Sequence, residues 1–169
     1  MINYRSICLE DIETYWNLLN SLDQETEFTM YEPEERNTDT DIDDFKEDIK
    51  QHVIDGNDFL FIAEEYGVII GYIRAKRSVF RRSFHTAFII IGIRRNYAGK
   101  GIGTTFFESL DYWACIHNIK RLELTIQCRN TGLLQLYERN GFEIEGIRKE
   151  GMQVNGIFHA EYYMAKLYG

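Results

Sequence analysis

The sequence is poor in the residues and motifs that define several protein classes. Its three cysteines lie far apart without a C-x-x-C pair, which excludes a disulfide framework; we expect Cys8, Cys115 and Cys128 to be buried, reduced thiols. The four histidines are scattered, with no H-E-x-x-H pattern, so no metal site is predicted. No apolar run approaches the roughly eighteen residues that span a bilayer, and the N-terminus MINYRSICLEDIE carries acids where a signal peptide has basic and apolar regions. We therefore expect a cytoplasmic protein that does not bind a membrane.

Length and charge narrow the class further. The chain has 169 residues, 44% of them apolar and 14% aromatic, so we expect a single domain over residues 1–169 with a sizeable core. Residues 1–60 carry 17 acidic and 4 basic side chains, whereas residues 61–169 carry 10 acidic and 15 basic ones. The basic part suits a polyanionic ligand and the acidic part a cationic one, although a solvated acidic surface explains the same excess. Because the isoelectric point is about 5.0, nucleic acid is not expected as a partner.

Hydrophobic periodicity predicts a mixture of helices and strands. The segment EFTMYEPEERNTD, which holds the only proline, is predicted to be a loop. The predicted order of strands and helices along the chain is β-α-α-β-β-β-α-β-α-β-β. The predicted helices are Leu9 to Leu22, Asp41 to Gln51, a long one after a glycine-rich loop, and Thr131 to Arg139; the predicted strands are Ile2 to Ile7, FLFIAEE, VIIGYIRAKR, TAFIIIGI, RLELTIQ, and a final pair that turns at Asn155-Gly156.

The stretch NYAGKGIGTTFFESLDYWA places alternating glycines between an apolar strand and an amphipathic helix. Gly99, Gly101 and Gly103 let the backbone adopt positive φ and approach another group closely. The helix that follows directs free N–H groups and the positive end of its dipole at the same point, which favours phosphate binding. The alternative is a tight turn in which glycine serves packing only.

Two common phosphate loops fit this stretch poorly. The Walker pattern is absent, because the Gly-Lys pair is followed by Gly101 rather than by Ser or Thr. The dinucleotide pattern G-x-G-x-x-G needs glycine at Thr104, although Glu123 lies about twenty residues on, where a ribose-binding acid stands. An NAD-binding, Rossmann-type dehydrogenase therefore remains as a weaker alternative.

A third pattern matches better. YAGKGIG resembles the pyrophosphate loop of the GNAT N-acetyltransferase superfamily, with Gly101 and Gly103 at its two small positions and Ala98 where the family has Gln or Arg. The segment RLELTIQCRNTGLLQLYERNGFEIEGIRKE resembles the family's strand, Asn, helix and Asn-Gly-Phe, and NGIFHAEYYMAKLYG its closing hairpin. The resemblance covers roughly residues 59–167 and is to the bacterial branch that acetylates amino acids and ribosomal-protein N-termini.

The resemblance implies the GNAT acyl-CoA N-acyltransferase fold, an α/β protein whose mixed sheet is splayed between its fourth and fifth strands. It also implies acetyl-CoA as cosubstrate, with no metal. The pantetheine arm is expected to add to the strand backbone at Ile91, Gly92 and Ile93, whose N–H groups near Gly92 and Ile93 are candidates to polarise the thioester carbonyl. The residues expected to hold the pyrophosphate are Gly99, Lys100, Gly101, Ile102, Gly103 and Thr104.

Asn130 and Tyr137 carry the remaining roles that the resemblance implies. Asn130 is expected to cap the helix that begins at Thr131 and to contact the pantetheine arm. Tyr137 occupies the position of the general acid, although it shares a helical face with leucines and suits the core equally. Where the family has a glutamate as general base, this chain has Thr125. The identity of the base therefore remains open between Glu123 acting through a water, an acid from the N-terminal section, and no base in the protein.

We therefore expect an acetyl-CoA-dependent N-acetyltransferase that works by direct attack in a ternary complex. The acceptor is expected to be a small-molecule or peptide amine, cationic if the acidic residues 1–60 attract it. A homodimer through the C-terminal strands is a further expectation. The alternative is a non-catalytic acyl-CoA-binding module on the same fold, favoured by the missing glutamate at Thr125.

Overall fold

Seven strands form one mixed sheet in the computed structural model, which describes residues 1–169. The strands are β1 (Asn3–Ser6), β2 (Phe59–Glu65), β3 (Val68–Arg77), β4 (Thr86–Ile93), β5 (Arg121–Gln127), β6 (Glu143–Val154) and β7 (Ile157–Leu167). The helices are α1 (Ile12–Glu25), α2 (Glu35–Asp39), α3 (Ile42–Ile49), α4 (Ile102–Ile116) and α5 (Thr131–Arg139). Across the sheet the strands lie in the order β1-β2-β3-β4-β5-β7-β6. The predicted fold class and the order of the long elements are confirmed.

The N-terminal helices depart from the prediction. α1 begins three residues late, after a short 3-10 turn at Leu9–Asp11, and continues to Glu25. The predicted loop contains α2, a helix of five polar residues that has no apolar periodicity to reveal it. α3 ends at Ile49 and passes into a wider turn over Lys50–Ile54.

The sheet is splayed between β4 and β5. These two strands are parallel and pair at only three positions, the last being Phe88 with Glu123. β4 stays paired with β3 along its whole length, and β5 stays paired with β7. Beyond Phe88 and Glu123, the facing edges of β4 and β5 therefore line a gap, as predicted. A single parallel pair also distinguishes this sheet from the doubly wound parallel sheet of a Rossmann dehydrogenase.

Each face of the sheet has its own core. On one face, α4 and α5 pack on a cluster of 19 buried residues that includes Phe106, Leu110 and Leu124. On the other face, α1 and α3 pack on a cluster of 11 buried residues that includes Leu19, Ile49 and Tyr72. The gap between β4 and β5 thus opens towards both helical layers.

The expectation of buried cysteines is wrong. Cys8 and Cys115 are exposed, and Cys128 is half-buried. Cys115 follows Ala114 on α4 and lies outside the apolar stripe, while Cys8 lies in the turn before α1. No helix combines the length and the apolar character that crossing a membrane requires.

Candidate active site

The open edge of β4 presents backbone groups to the gap. Two hydrogen bonds fix which residues face β3: Arg94 donates to Ile70, and Ser78 donates to Thr86. Because directions alternate along an antiparallel strand, the N–H and C=O groups of Ile91 and Ile93 point the other way, into the gap. The edge predicted to accept an extended ligand is therefore free at those two residues.

Gly92 contributes in a different way from its neighbours. Its backbone groups face β3, so its N–H is not available to polarise a carbonyl in the gap, and Ile91 and Ile93 are the remaining candidates. An ideal Cβ on Gly92 would lie 2.7 Å from Tyr72 Cε1 and 2.7 Å from Leu22 Cδ1. The absent side chain makes room for the Tyr72 ring, which lies across β4 on the α1 side.

The glycine loop leads into α4 as predicted. Gly99 and Gly101 have φ of +76° and +79°, and neither has a neighbour within 4 Å of an ideal Cβ position. Gly101 precedes α4 without a side-chain cap, and the first helical bond runs from the Thr105 N–H to the Gly101 C=O at 3.2 Å. The N–H groups of Ile102, Gly103 and Thr104 consequently lack intrahelical acceptors. This end of α4 is a set of free donors beside open backbone, which suits an anion.

Gly103 differs from the other two glycines of the loop. It is buried, and an ideal Cβ would lie 2.8 Å from Leu136 Cδ2 on α5. Its missing side chain therefore allows α4 and α5 to pack closely, while its N–H stays part of the free helix end. The packing alternative considered for the loop applies to this one glycine.

Lys100 and Asn130 flank the gap. The Lys100 ammonium lies 5.0 Å from the centre of the Tyr97 ring, on the exposed surface of the loop. Asn130 Oδ1 accepts a hydrogen bond from the Leu133 N–H at 3.4 Å, so its N-cap role is confirmed. Contact with a pantetheine arm stays a prediction for Asn130.

Tyr137 projects from α5 into the core that α4 covers. Its side chain is 3% exposed, and its ring packs edge-on against Phe107 at 5.7 Å and tilted against Phe142 at 5.5 Å. Burial raises the pKa of its phenol, and the nearby Tyr72 raises that pKa further. No protein group makes a hydrogen bond with its hydroxyl, and this hydroxyl is not among the fully enclosed unpartnered polar atoms. The phenol is neutral and its hydroxyl is free to donate.

The candidate base positions lack a free carboxylate at the open part of β5. Thr125 is half-buried beside the gap. Glu123 accepts a hydrogen bond from Arg121 Nε at 2.9 Å and lies opposite Phe88, where the strands still pair. Glu123 is thus in an ion pair with Arg121 and lies where β4 and β5 are still paired, outside the gap. The geometry therefore does not favour it as a base.

The end of α1 and the segment that follows it are bonded to residues beyond β4 and to residues at the end of β5. Glu25 accepts from Arg94 Nε at 2.5 Å and from the Arg95 N–H at 3.1 Å, which ties the end of α1 to the start of the glycine loop. Glu27 accepts from Gln127 Nε2 through its carbonyl at 3.0 Å, and from Arg129 and Asn155 through its carboxylate at 3.2 and 3.1 Å.

Two buried acidic residues escaped sequence-based prediction. Asp23 is 2% exposed and accepts from Arg36 Nε at 3.0 Å with one oxygen, while its other oxygen has no partner. Glu161 is 4% exposed and pairs with Arg148 at 2.9 Å. Nothing in the local sequence marks them, because their partners lie 13 residues away along the chain.

Comparisons with known proteins identify the family and the fold. The model of the acetyltransferase (GNAT) family matches residues 16–142. The L-amino acid N-acetyltransferase AaaT of Escherichia coli strain K12 is 28% identical over 105 residues, or 60% of this chain and 63% of that relative, which is less than two thirds of its length. A GNAT-family acetyltransferase from Streptococcus pneumoniae superposes with a TM-score of 0.91 at 26% identity, covering 99% of this chain and 100% of that one. The yncA protein of Salmonella typhimurium, solved with its cofactor acetyl-CoA, has a TM-score of 0.83 at 16% identity over 98% and 93% of the chains, which shows the fold alone.

Proposed function

The chain belongs to the GNAT acetyltransferase family, and from that premise we propose that it transfers an acetyl group from acetyl-CoA to a primary amine. The acceptor is a small molecule or a peptide N-terminus, and the transfer is a direct attack in a ternary complex. The observation that carries the proposal is the gap between β4 and β5, with the free backbone edge at Ile91 and Ile93 beside the free donors at the start of α4.

The residues present fit acetyl-CoA in two respects. The N–H groups of Ile102, Gly103 and Thr104, with Lys100 nearby, suit its pyrophosphate. The open edge at Ile91 and Ile93 suits an amide-rich arm that pairs like an extra strand. Acetyl-CoA supplies the acetyl group as a thioester, whose thiol is a fair leaving group.

The chain's own residues then have two tasks, and water has a third. The N–H of Ile91 or Ile93 polarises the carbonyl that the amine attacks, because those donors face the gap. As the C–N bond forms and the C–S bond breaks, the Tyr137 hydroxyl gives its proton to the departing sulfur, and the resulting phenolate regains a proton from water. The amine loses its own proton to water, since β5 offers no free carboxylate in the open part of the gap.

A positively charged acceptor suits the surface around α1, α2 and α3. A groove of about 600 Å³ between these helices is lined by four carboxylates and one cation. They are Asp39, Asp41, Asp44, Asp48 and Arg36, and the aromatic residues Trp16 and Phe45 lie beside them. These carboxylates contribute to the net charge of −13 over residues 1–60 and create negative potential on the α1 side of the sheet. We propose that this potential favours a cationic amine.

A screen of purified protein tests the function. Acetyl-CoA is incubated with amino acids, polyamines, aminoglycosides and peptides with free N-termini, and free thiol release is measured with mass spectrometry of the products. We expect one amine class to give amine-dependent thiol release together with an acetylated product. Coenzyme A binding without transfer to any amine would instead identify the non-catalytic binding module, which the absence of a carboxylate at Thr125 favours.

A further inference from the structure

Tyr72 packs against β4 on the face of the sheet opposite to Tyr137. It lies on β3, pairs with Gly92 of β4, and belongs to the core under α1 and α3. The nearest ring atom to the missing Gly92 side chain is Cε1, at 2.7 Å from the ideal Cβ, whereas Cδ1 lies at 3.4 Å. The distal half of the ring therefore lies over Gly92 of β4, the strand whose other edge borders the gap.

The hydroxyl of Tyr72 has no protein partner. Its side chain is 7% exposed, yet no hydrogen bond joins the hydroxyl to another residue. The two fully enclosed side-chain atoms without a partner are Asp23 Oδ1 and Arg74 Nε, so the Tyr72 hydroxyl borders open space. A buried tyrosine usually finds a partner for its hydroxyl, and an open one beside a proposed active site needs a reason.

Burial and nearby charged groups determine the pKa of the Tyr72 phenol. Burial raises the pKa of Tyr72 to about 12; Arg36 lowers that pKa and Asp23 raises it. Burial chiefly raises the pKa of Tyr137, and Tyr72 raises that pKa further. Both are neutral at physiological pH, one on the α1 face and one on the α5 face.

We propose that Tyr72 orients the acceptor amine, its hydroxyl accepting a hydrogen bond from the amine N–H on the α1 side of the gap. This inference rests on the proposed acetyl transfer and adds the acceptor-side contact to it. The two tyrosines divide the work, with Tyr137 on the thiol and Tyr72 on the nucleophile. The proposed contact requires an acceptor amine that has an N–H to donate while its lone pair attacks.

A neutral hydroxyl suits this task better than a carboxylate does. The attacking amine must be uncharged, and a carboxylate in contact would favour the ammonium form. The Tyr72 phenol stays protonated and can accept one hydrogen bond without that electrostatic preference. The absence of a free carboxylate at Thr125 and Glu123 is consistent with this arrangement.

The test compares Tyr72→Phe with Tyr15→Phe. Tyr15 is a matched control, because it is 2% exposed, belongs to the same core and packs edge-on against Tyr72 at 5.2 Å. For the amine found by the screen, we expect Tyr72→Phe to lower kcat/KM by about tenfold, the effect of one lost neutral hydrogen bond. The KM for acetyl-CoA and the melting shift induced by coenzyme A stay unchanged. Tyr15→Phe retains the kcat/KM of the wild type.

The outcomes separate this inference from the function on which it rests. An active wild type with equal kcat/KM in Tyr72→Phe overturns the role of Tyr72 and leaves acetyl transfer intact. A raised KM for acetyl-CoA in Tyr72→Phe overturns it too, since the hydroxyl would then serve the cosubstrate. A wild type that acetylates no amine overturns both. Equal losses in Tyr72→Phe and Tyr15→Phe would assign the effect to core packing and not to substrate contact.

Discussion

Leu136 on α5 occupies the space that a side chain on Gly103 would need, with its Cδ2 at 2.8 Å from the ideal Cβ position. The first turn of α4 is thus pressed against α5, and α5 also carries Tyr137. One glycine of the loop consequently sets the distance between the proposed phosphate site and the proposed general acid.

We expect Gly103→Ala to lower the free energy of unfolding by about 1 kcal/mol, the low end of overpacking costs, because the Leu136 side chain can turn aside. The cost should shrink in a Leu136→Ala background, where the space is vacant. Chemical denaturation of the four proteins of this double-mutant cycle measures both values. An equal cost in both backgrounds would show that the contact with Leu136 does not explain the glycine.

Coenzyme A should stabilise the wild type but not Gly101→Val. Valine resists the φ of +79° at Gly101, and its branched side chain blocks the backbone's approach to phosphate. Ligand at 100 times its Kd adds about 2.7 kcal/mol to stability, which thermal melting detects readily. Gly156→Val is the control, because Gly156 has the same φ of +79° in the β6–β7 turn and also has no neighbour near its Cβ position. A coenzyme-induced shift that persists in folded Gly101→Val would contradict the loop assignment.

Tyr137→Phe should slow the reaction without weakening the fold. The hydroxyl has no protein partner, so its removal costs little stability, while the loss of a general acid lowers kcat by about 100-fold. Steady-state kinetics and the melting temperature of one variant measure both. A purely structural tyrosine would instead leave kcat unchanged in Tyr137→Phe, which would contradict its role as the general acid.

Salt should weaken the use of a cationic acceptor. The acidic groove and the −13 charge of residues 1–60 attract a cation over a distance of about 8 Å at physiological ionic strength, and added salt shortens that distance. The kcat/KM should therefore fall with rising salt, more steeply for a polyamine than for a zwitterionic amino acid. Best activity on an acidic amino acid, independent of salt, would refute a cationic acceptor.

Asp11→Asn should make the free energy of unfolding depend less steeply on pH in acid. Asp11 accepts from two Arg5 nitrogens at 2.6 and 2.9 Å and from the Cys8 N–H at 2.9 Å, and the Arg5 bonds chiefly hold the pKa of Asp11 far below its usual range. A carboxylate whose folded pKa is depressed stabilises the fold above its unfolded pKa of about 4, and that stability is lost as the pH falls further. Denaturation between pH 7 and 3 should show a reduced stability of Asp11→Asn at pH 7 and a shallower decline below about pH 5. Asp55→Asn, at an exposed carboxylate without a hydrogen bond, should follow the wild type.

The elements around the gap could be predicted from the sequence because their signals are local. The bounds of β3, β4, β5 and α5 agree with the prediction, since apolar runs and Asn130 mark them directly. α2 was missed because its residues Glu35–Asp39 are all polar, and its Arg36 is held by the cation–aromatic contact with Tyr31 and the ion pair with Asp23. Such contacts between distant residues leave no periodic trace.

The same distinction holds for the candidate site. The glycine loop is a contiguous motif, so its place at the start of α4 could be predicted. Tyr72 could not, because its position depends on facing Gly92, which lies twenty residues further along and becomes its neighbour only through strand register. The direction of the Gly92 backbone follows from register as well, and the expectation that its N–H faces the gap failed for that reason.

The contacts of Glu27 determine how the two halves of the splayed sheet are held together. β4 and β5 share three paired positions, so the sheet consists of two halves that are joined only along this short stretch. Glu27 precedes β2, β3 and β4 in the sequence, on the β4 side of the gap. Its three bonds to Gln127, Arg129 and Asn155 nevertheless connect it to the β5 side. The segment after α1 therefore joins the two halves of the sheet at the splayed end, so the halves are held together there as well as at the three paired positions of β4 and β5.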